Sequence, residues 1–186
     1  MEAPVVLERS KLKISFKQKP PRLVRWGFHP SPFNPLMIGI TPEGVLCRIE
    51  FANRRKAAAI LRAWQKAWPK TEFVQDKVMT AAILKKLISK GGVAELQMTG
   101  TKFQQAVWKT MLTIPVGKVL SYAEVAKRIR RPKAVRAVGT ACGANPVPLL
   151  VPCHRVVGSN GLGGFGGGLE LKRNLLRAEG AFDLAA

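Results

Sequence analysis

Acidic residues, histidine, tyrosine and cysteine are all scarce in this 186-residue chain. The three cysteines, Cys47, Cys142 and Cys153, are an odd number with no CxxC pair. A disulfide framework is therefore not expected, and a reducing compartment fits better. Two histidines and three scattered cysteines give no paired ligand spacing, so no metal or other cofactor is expected. No apolar run approaches the roughly 18 residues needed to span a membrane. The N-terminal stretch also lacks the apolar segment and cleavage site of a secretory leader. No membrane partner is expected, and the chain is read as cytoplasmic, or nuclear in a eukaryotic source. The GxxxxGK[ST] phosphate loop is absent. Gly161 to Gly166 formally matches GxGxxG, but a dinucleotide fold needs a second strand after the following helix. The sequence offers none.

Only 11 acidic residues face 31 basic ones, a net charge of +20. The excess is spread along the chain, which points to a polyanionic partner, nucleic acid before membrane. Hydrophobic residues make up 47%, enough for a packed core. The length suits one large domain or two small ones.

The pattern divides the chain into residues 1–98 and 99–186. Residues 1–36 are basic and proline-rich and read as an extended arm with one strand. His29 lies there between prolines, a weak metal candidate. Residues 37–51 read as strand, Pro-Glu-Gly turn, strand, with Cys47 in the core. Asn53 can cap a helix running to Trp68, stopped by Pro69, with Trp64 and Trp68 on its apolar side. A second helix spans about 76–90 and ends at Gly91-Gly92. A strand from Val93 to Met98 follows. The expectation is a small α/β layer with no catalytic constellation.

Thr101 can cap a helix that buries Phe103, Val107, Trp108 and Met111. Ser121 with Glu124 three residues on is a capping box. Pro132 suits the first turn of the next helix, which runs to about Gly143. Two short helices on a tight turn read as helix-turn-helix. Their junction, Lys127 to Lys133, holds five basic residues in seven and suits a phosphate backbone. The second helix is rich in small residues, among them Ala134, Ala137, Gly139, Ala141 and Gly143. Either it lies close to a partner's surface or it packs tightly inside the protein. Internal packing would explain Ala137 and Ala141 but leaves Arg136 unexplained.

Asn145 to Val157, NPVPLLVPCHRVV, reads as an apolar strand broken by prolines, a loop or irregular edge strand beside a cleft. It sets a soft nucleophile, Cys153, next to His154, the side chain that titrates nearest neutral pH. Adjacent strand residues face opposite ways. Direct contact therefore needs a turn there, or a water must bridge the pair. Seven glycines among residues 158–168 make a loop poor in side chains, a wall or lid beside Cys153. The closing helix ends at Gly180. Glu179 stands at its C-terminus, the unfavourable end of the dipole for a carboxylate. It is a candidate partner for His154.

PCHRVV, preceded by NPVP and RAVGTACGANP, resembles the active site of the O6-alkylguanine-DNA alkyltransferases, the methylated-DNA–protein-cysteine methyltransferases. The resemblance runs from about Gly100 to Gly180, through FQQAVWKTMLTIPVGKVLSYAEVA and the closing LLRAEG. It implies an α+β protein: an N-terminal ribonuclease-H-like α/β domain and a C-terminal helical, winged-helix-like domain with the helix-turn-helix. It implies a monomer that performs single-turnover direct-reversal repair. The alkyl group of O6-alkylguanine, and of O4-alkylthymine, would pass from duplex DNA to Cys153. His154 would be the water-mediated base, Glu179 its orienting partner, and Asn145 the brace between recognition helix and active-site segment. Tyr122 would crowd the target phosphate and donate to the purine. Arg136 would fill the gap left by the flipped base. Arg131, Lys133, Ala134 and Val135 would join them on DNA, with the helix in the minor groove. Pro148, Val156, Phe165 and Gly166 would line the pocket, and backbone groups of Cys153 and Val156 would hold the guanine edge. Two departures stand out. The glycine loop is one residue shorter than the usual pattern, and Phe165 stands where a tyrosine is common.

Two rival readings remain at this point. A helix-turn-helix protein that binds alkyl lesions without chemistry would lack the motif cysteine, which this chain keeps. A cysteine hydrolase would turn over repeatedly, and no second histidine supports it.

Overall fold

The computed structural model describes residues 12–31, 34–52, 56–88 and 94–181. The Asn53 cap, the Gly91-Gly92 stop and Val93 lie outside them. The chain divides into two compact units between Gly100 and Thr101.

The first unit is a six-stranded mixed sheet with two helices. In chain order its elements are β1 (Leu12–Lys17), β2 (Leu23–His29), β3 (Leu36–Ile40), β4 (Leu46–Phe51), α1 (Ala57–Ala67), β5 (Glu72–Gln75), α2 (Lys77–Ile88) and β6 (Ala94–Thr99). The strands lie side by side as β1-β6-β4-β3-β2-β5. β2, β3 and β4 form an antiparallel meander, while β1–β6, β4–β6 and β2–β5 are parallel.

The expected arm is thus corrected. Residues 12–29 supply two strands of the sheet, with Pro20 and Pro21 in the turn between them. In β1 half-buried Leu12, Ile14 and Phe16 alternate with exposed lysines and Ser15, the period-2 signature of a strand. β3 is buried throughout and sits mid-sheet. Trp64 and Trp68 are buried, so both are core, as the helical spacing suggested. The guanidinium of Arg48 stacks 5.1 Å from the Trp64 ring and 4.6 Å from that of Trp68. His29 is buried and bonded to the Thr80 hydroxyl at 2.8 Å, a satisfied core histidine. Among the described residues no cluster of three or more His, Cys, Asp or Glu could hold a metal. No described helix is long and apolar enough to cross a membrane.

The second unit is mainly helical: α3 (Lys102–Met111), β7 (Leu120–Ser121), α4 (Tyr122–Arg128), α5 (Val135–Gly143), a 3₁₀ turn (Cys153–Arg155), β8 (Val156–Val157) and α6 (Leu169–Ala178). Thr101 with Gln104, and Ser121 with Glu124, form complete capping boxes. α5 begins at Val135, later than the proline suggested. Pro132 and Lys133 lie in the turn, and Ala134 precedes the helix without a side-chain cap. Arg130 takes a left-handed φ of 58°, and Arg131 N–H donates to Ala126 O at 2.9 Å. These features reverse the chain between α4 and α5. Trp108 of α3 is buried, and its indole N–H donates to Ala141 O at 2.9 Å, fixing α5 from beneath.

Candidate active site

The site is assembled from four short pieces around the 3₁₀ turn. Of the two sequence readings of 145–157, irregular strand or loop, the loop holds for most of the segment. Only Val156–Val157 are strand, paired with Leu120–Ser121 of β7. Upstream, Pro148 and Val151 form an isolated bridge, and Leu149 has a φ of 76°. The prolines and this left-handed residue break the ladder. The chain therefore coils at Cys153 instead of running straight.

Asn145 fastens that coil to the end of α5. Its side-chain amide donates to Val151 O at 2.7 Å, and its Oδ1 accepts from Val147 N–H at 3.1 Å. Both ends of one side chain are used, so Asn145 spans the loop from inside. Burial pushes the Cys153 thiol up. The Asn145 amide, the Lys172 charge and backbone N–H groups of the turn oppose that rise by favouring the thiolate.

His154 is buried behind Cys153. Its Nε2 lies 2.9 Å from Glu179 Oε1. The same carboxylate accepts from Arg155 Nε at 2.8 Å and Nη2 at 2.9 Å, while Arg155 Nη1 donates to Ile114 O at 2.7 Å. Burial alone would raise the Glu179 pKa. The bonds and charges of His154 and Arg155 outweigh it and bring the pKa down to about 2. This resolves the placement of a carboxylate at a helix C-terminus. Arg155 is the compensating cation that the sequence reading did not identify. An ionised Glu179 can only accept, so His154 Nε2 is the donor of that bond. Its Nδ1 is buried with no hydrogen-bond partner among the described residues.

Lys172 is the second group that sequence reasoning missed. It is fully buried in α6 and donates to the carbonyls of Val156 at 2.7 Å, Leu162, and Gly164 at 3.3 Å. Desolvation lowers its pKa to about 8, against the opposing charges of Cys153 and Cys142. It ties the glycine loop to β8. The only hint in the sequence is a lysine at an inward position of an amphipathic helix, three residues before Leu175. Because Val156 O already accepts from Lys172, only its second lone pair is open to a ligand.

Tyr122 sits between α5 and the glycine loop. Its ring is 3.9 Å from where a Cβ on Gly139 would lie, and its hydroxyl meets the backbone of Gly164. Burial, then the neighbouring Cys142, raises its pKa. Half-buried Phe165 stands edge-on to His154, with ring centroids 6.4 Å apart. Pro148 is half-buried and Gly166 exposed. On α5, Val138, Ala141 and Cys142 face inward. Val135, Arg136, Ala137 and Thr140 are exposed, as are Arg131 and Lys133 before them, with Ala134 half-buried. Internal packing accounts for Ala141 but not for Ala137. No described residue of this unit covers the outer face of α5, which carries Ala137.

The family model described as "6-O-methylguanine DNA methyltransferase, DNA binding domain" matches residues 102–181. A methylated-DNA–protein-cysteine methyltransferase of Methanosarcina acetivorans is 37% identical over 154 residues, covering 81% of this chain and 95% of that one. This chain belongs to the methylated-DNA–protein-cysteine methyltransferase family. A Mycobacterium bovis member is 56% identical over 86 residues, 46% of this chain, and there the match spans about half, 52%, of the relative's length. The crystal structure of Mycobacterium tuberculosis OGT in complex with DNA superposes with a TM-score of 0.65 at 35% identity, covering 86% of this chain and 94% of that one. The α+β architecture with a C-terminal helical unit is that of the family.

Proposed function

We propose that this chain repairs alkylated duplex DNA by moving the alkyl group of O6-alkylguanine, and of O4-alkylthymine, onto Cys153 in one irreversible step. The observation that carries the reading is the buried relay beside Cys153: a His154 oriented by Glu179, with its second nitrogen unpartnered. The Cys153 proton passes through a water to His154 Nδ1. The thiolate attacks the alkyl carbon, an S–C bond forms and the C–O6 bond breaks. The departing guanine takes a proton from Tyr122 as its oxygen becomes a carbonyl. The product thioether holds no good leaving group, so the protein acts once.

The outer face of α5 enters the minor groove, where small residues allow close approach. Arg131, Lys133, Ala134 and Val135 contact the backbone. Arg136 occupies the gap of the flipped base, which offsets the few kcal/mol that flipping costs. Phe165 and Pro148 wall the pocket. Gly166 gives room, and backbone groups of Cys153 and Val156 read the base edge. The protein works as a monomer, in the cytoplasm or in a eukaryotic nucleus.

Intact-mass analysis after incubation with an O6-methylguanine oligonucleotide tests this. The expected result is one added methyl, mapped to Cys153 and absent in Cys153→Ala. Repeated turnover, the hydrolase outcome, or a label on Cys142 would sink it. Binding of the lesion with no mass change would return the non-catalytic reading.

A further inference from the structure

We propose that one corner of the N-terminal unit is a second binding surface for the phosphate backbone of duplex DNA. The inference rests on the DNA-repair reading and concerns residues that reading does not use. Two segments build the corner. Trp68 N–H donates to Trp64 O at 2.9 Å and Thr71 N–H to Trp68 O at 3.0 Å, which turns the chain from α1 into β5 through Pro69 and Lys70. The Thr71 hydroxyl donates to Pro21 O at 2.7 Å, and Glu72 N–H donates to Arg22 O at 2.8 Å. The loop carrying Lys19 and Arg22 is thereby fastened to the turn carrying Lys70.

α1 extends the surface. Trp64 and Trp68 anchor one side of the helix in the core, so Arg62, two residues before Trp64, and Lys66, midway between the two tryptophans, lie on the opposite side and are exposed. Lys19, Arg22 and Lys70 are exposed as well. Five cations therefore share these segments with one acid, Glu72. The other described acids of the unit are engaged or distant in the chain. Glu50 accepts from the Trp64 indole at 2.6 Å, Asp76 pairs with Arg25 at 3.1 Å, Glu95 pairs with Lys13 at 3.5 Å, and Glu43 stands in the β3–β4 turn.

The chemistry of the corner selects a polyanion. Pro20, Pro21 and Pro69 fix the backbone, so little backbone freedom is lost when the cations engage. No large exposed apolar side chain lies in these segments. That argues against a protein partner, which would need a buried anchor, and against a membrane, which an apolar face would enter. Regularly spaced phosphates need neither.

The test is Arg22→Gln/Lys66→Gln/Lys70→Gln in the full chain, with affinity for a long undamaged duplex measured against salt. Each phosphate contact contributes about 0.9 to the slope of log K against log salt, so the slope should shrink by between about 1 and 3. Methyl transfer from free O6-methylguanine to Cys153 should be unchanged, which shows that the variant is folded. An unchanged slope overturns the proposal. So does weakened binding to anionic lipid vesicles with the duplex slope intact. The two readings fail separately, because a wild-type chain that accepts no methyl group counts against repair alone.

Discussion

Glu179 Oε1 lies 2.9 Å from His154 Nε2, and both oxygens of the same carboxylate are also held by Arg155. One buried anion thus orients His154 and neutralises a buried guanidinium. Glu179→Gln should damage both roles. Alkyl transfer should slow by about a hundredfold as His154 loses its orienting partner. Unfolding in urea should show a loss of about 3 kcal/mol, because Arg155 remains buried without a counter-charge. A variant with normal stability but slow transfer would mean that Arg155 does not depend on this carboxylate.

The same group sets an acid limit. Its folded pKa, about 2, lies below its ordinary value of 4.5. A depressed carboxylate contributes stability that is fully present above pH 4.5 and is lost as pH falls through 2. The loss is on the order of 3 kcal/mol for this group. Chemical denaturation of wild type and Glu179→Gln across that window should give curves that converge at the acid end. Parallel curves would remove Glu179 as the titrating group.

Lys172 should matter for two reasons. Its ammonium donates to three backbone carbonyls, and its charge favours the Cys153 thiolate. Lys172→Met keeps the apolar stem but removes the donors, which should cost about 3 kcal/mol in unsatisfied carbonyls. The pH profile of Cys153 alkylation by iodoacetamide should also move to higher pH. A profile that stays in place would make Lys172 a purely structural tie.

Much of this was legible in the chain, and the failures have physical causes. Capping residues announced α3 and α4, because a cap is a local bond between residues three apart. Cys153, His154 and Glu179 were legible as candidates from residue type and place in the chain. Arg155 and Lys172 were not, since a buried cation is recognisable only from the carboxylate or carbonyls that surround it. The strand order was also hidden. β1 lies beside β6, more than 75 residues away in the chain, and no local pattern encodes that pairing. The prolines of 145–157 were visible, but the 3₁₀ turn at Cys153 and the bond from the Asn145 amide to Val151 O were not.

Gly163 offers a test of the loop. Its φ is +66°, and a Cβ there would lie 2.8 Å from the Tyr122 hydroxyl. Gly163→Ala combines about 1 kcal/mol of left-handed strain with a clash against that ring. Tyr122 is the single tyrosine, so ultraviolet titration reads it alone. In the wild type it should ionise above the ordinary 10, because it is partly buried beside Cys142. In Gly163→Ala the displaced ring should ionise closer to 10, and transfer should slow. An unmoved titration would place the adjustment in the loop backbone.

Arg136 separates DNA handling from chemistry. It is exposed on α5, and its guanidinium makes no hydrogen bond or ion pair among the described residues. Arg136→Ala should therefore leave the unfolding midpoint unchanged. If the side chain holds open the space of a flipped base, its loss removes part of the few kcal/mol that offset flipping. Repair of duplex O6-methylguanine should slow by about tenfold or more, while transfer from the free base stays as in the wild type. Equal slowing on both substrates would contradict the flipping role, because the free base has no stack to leave.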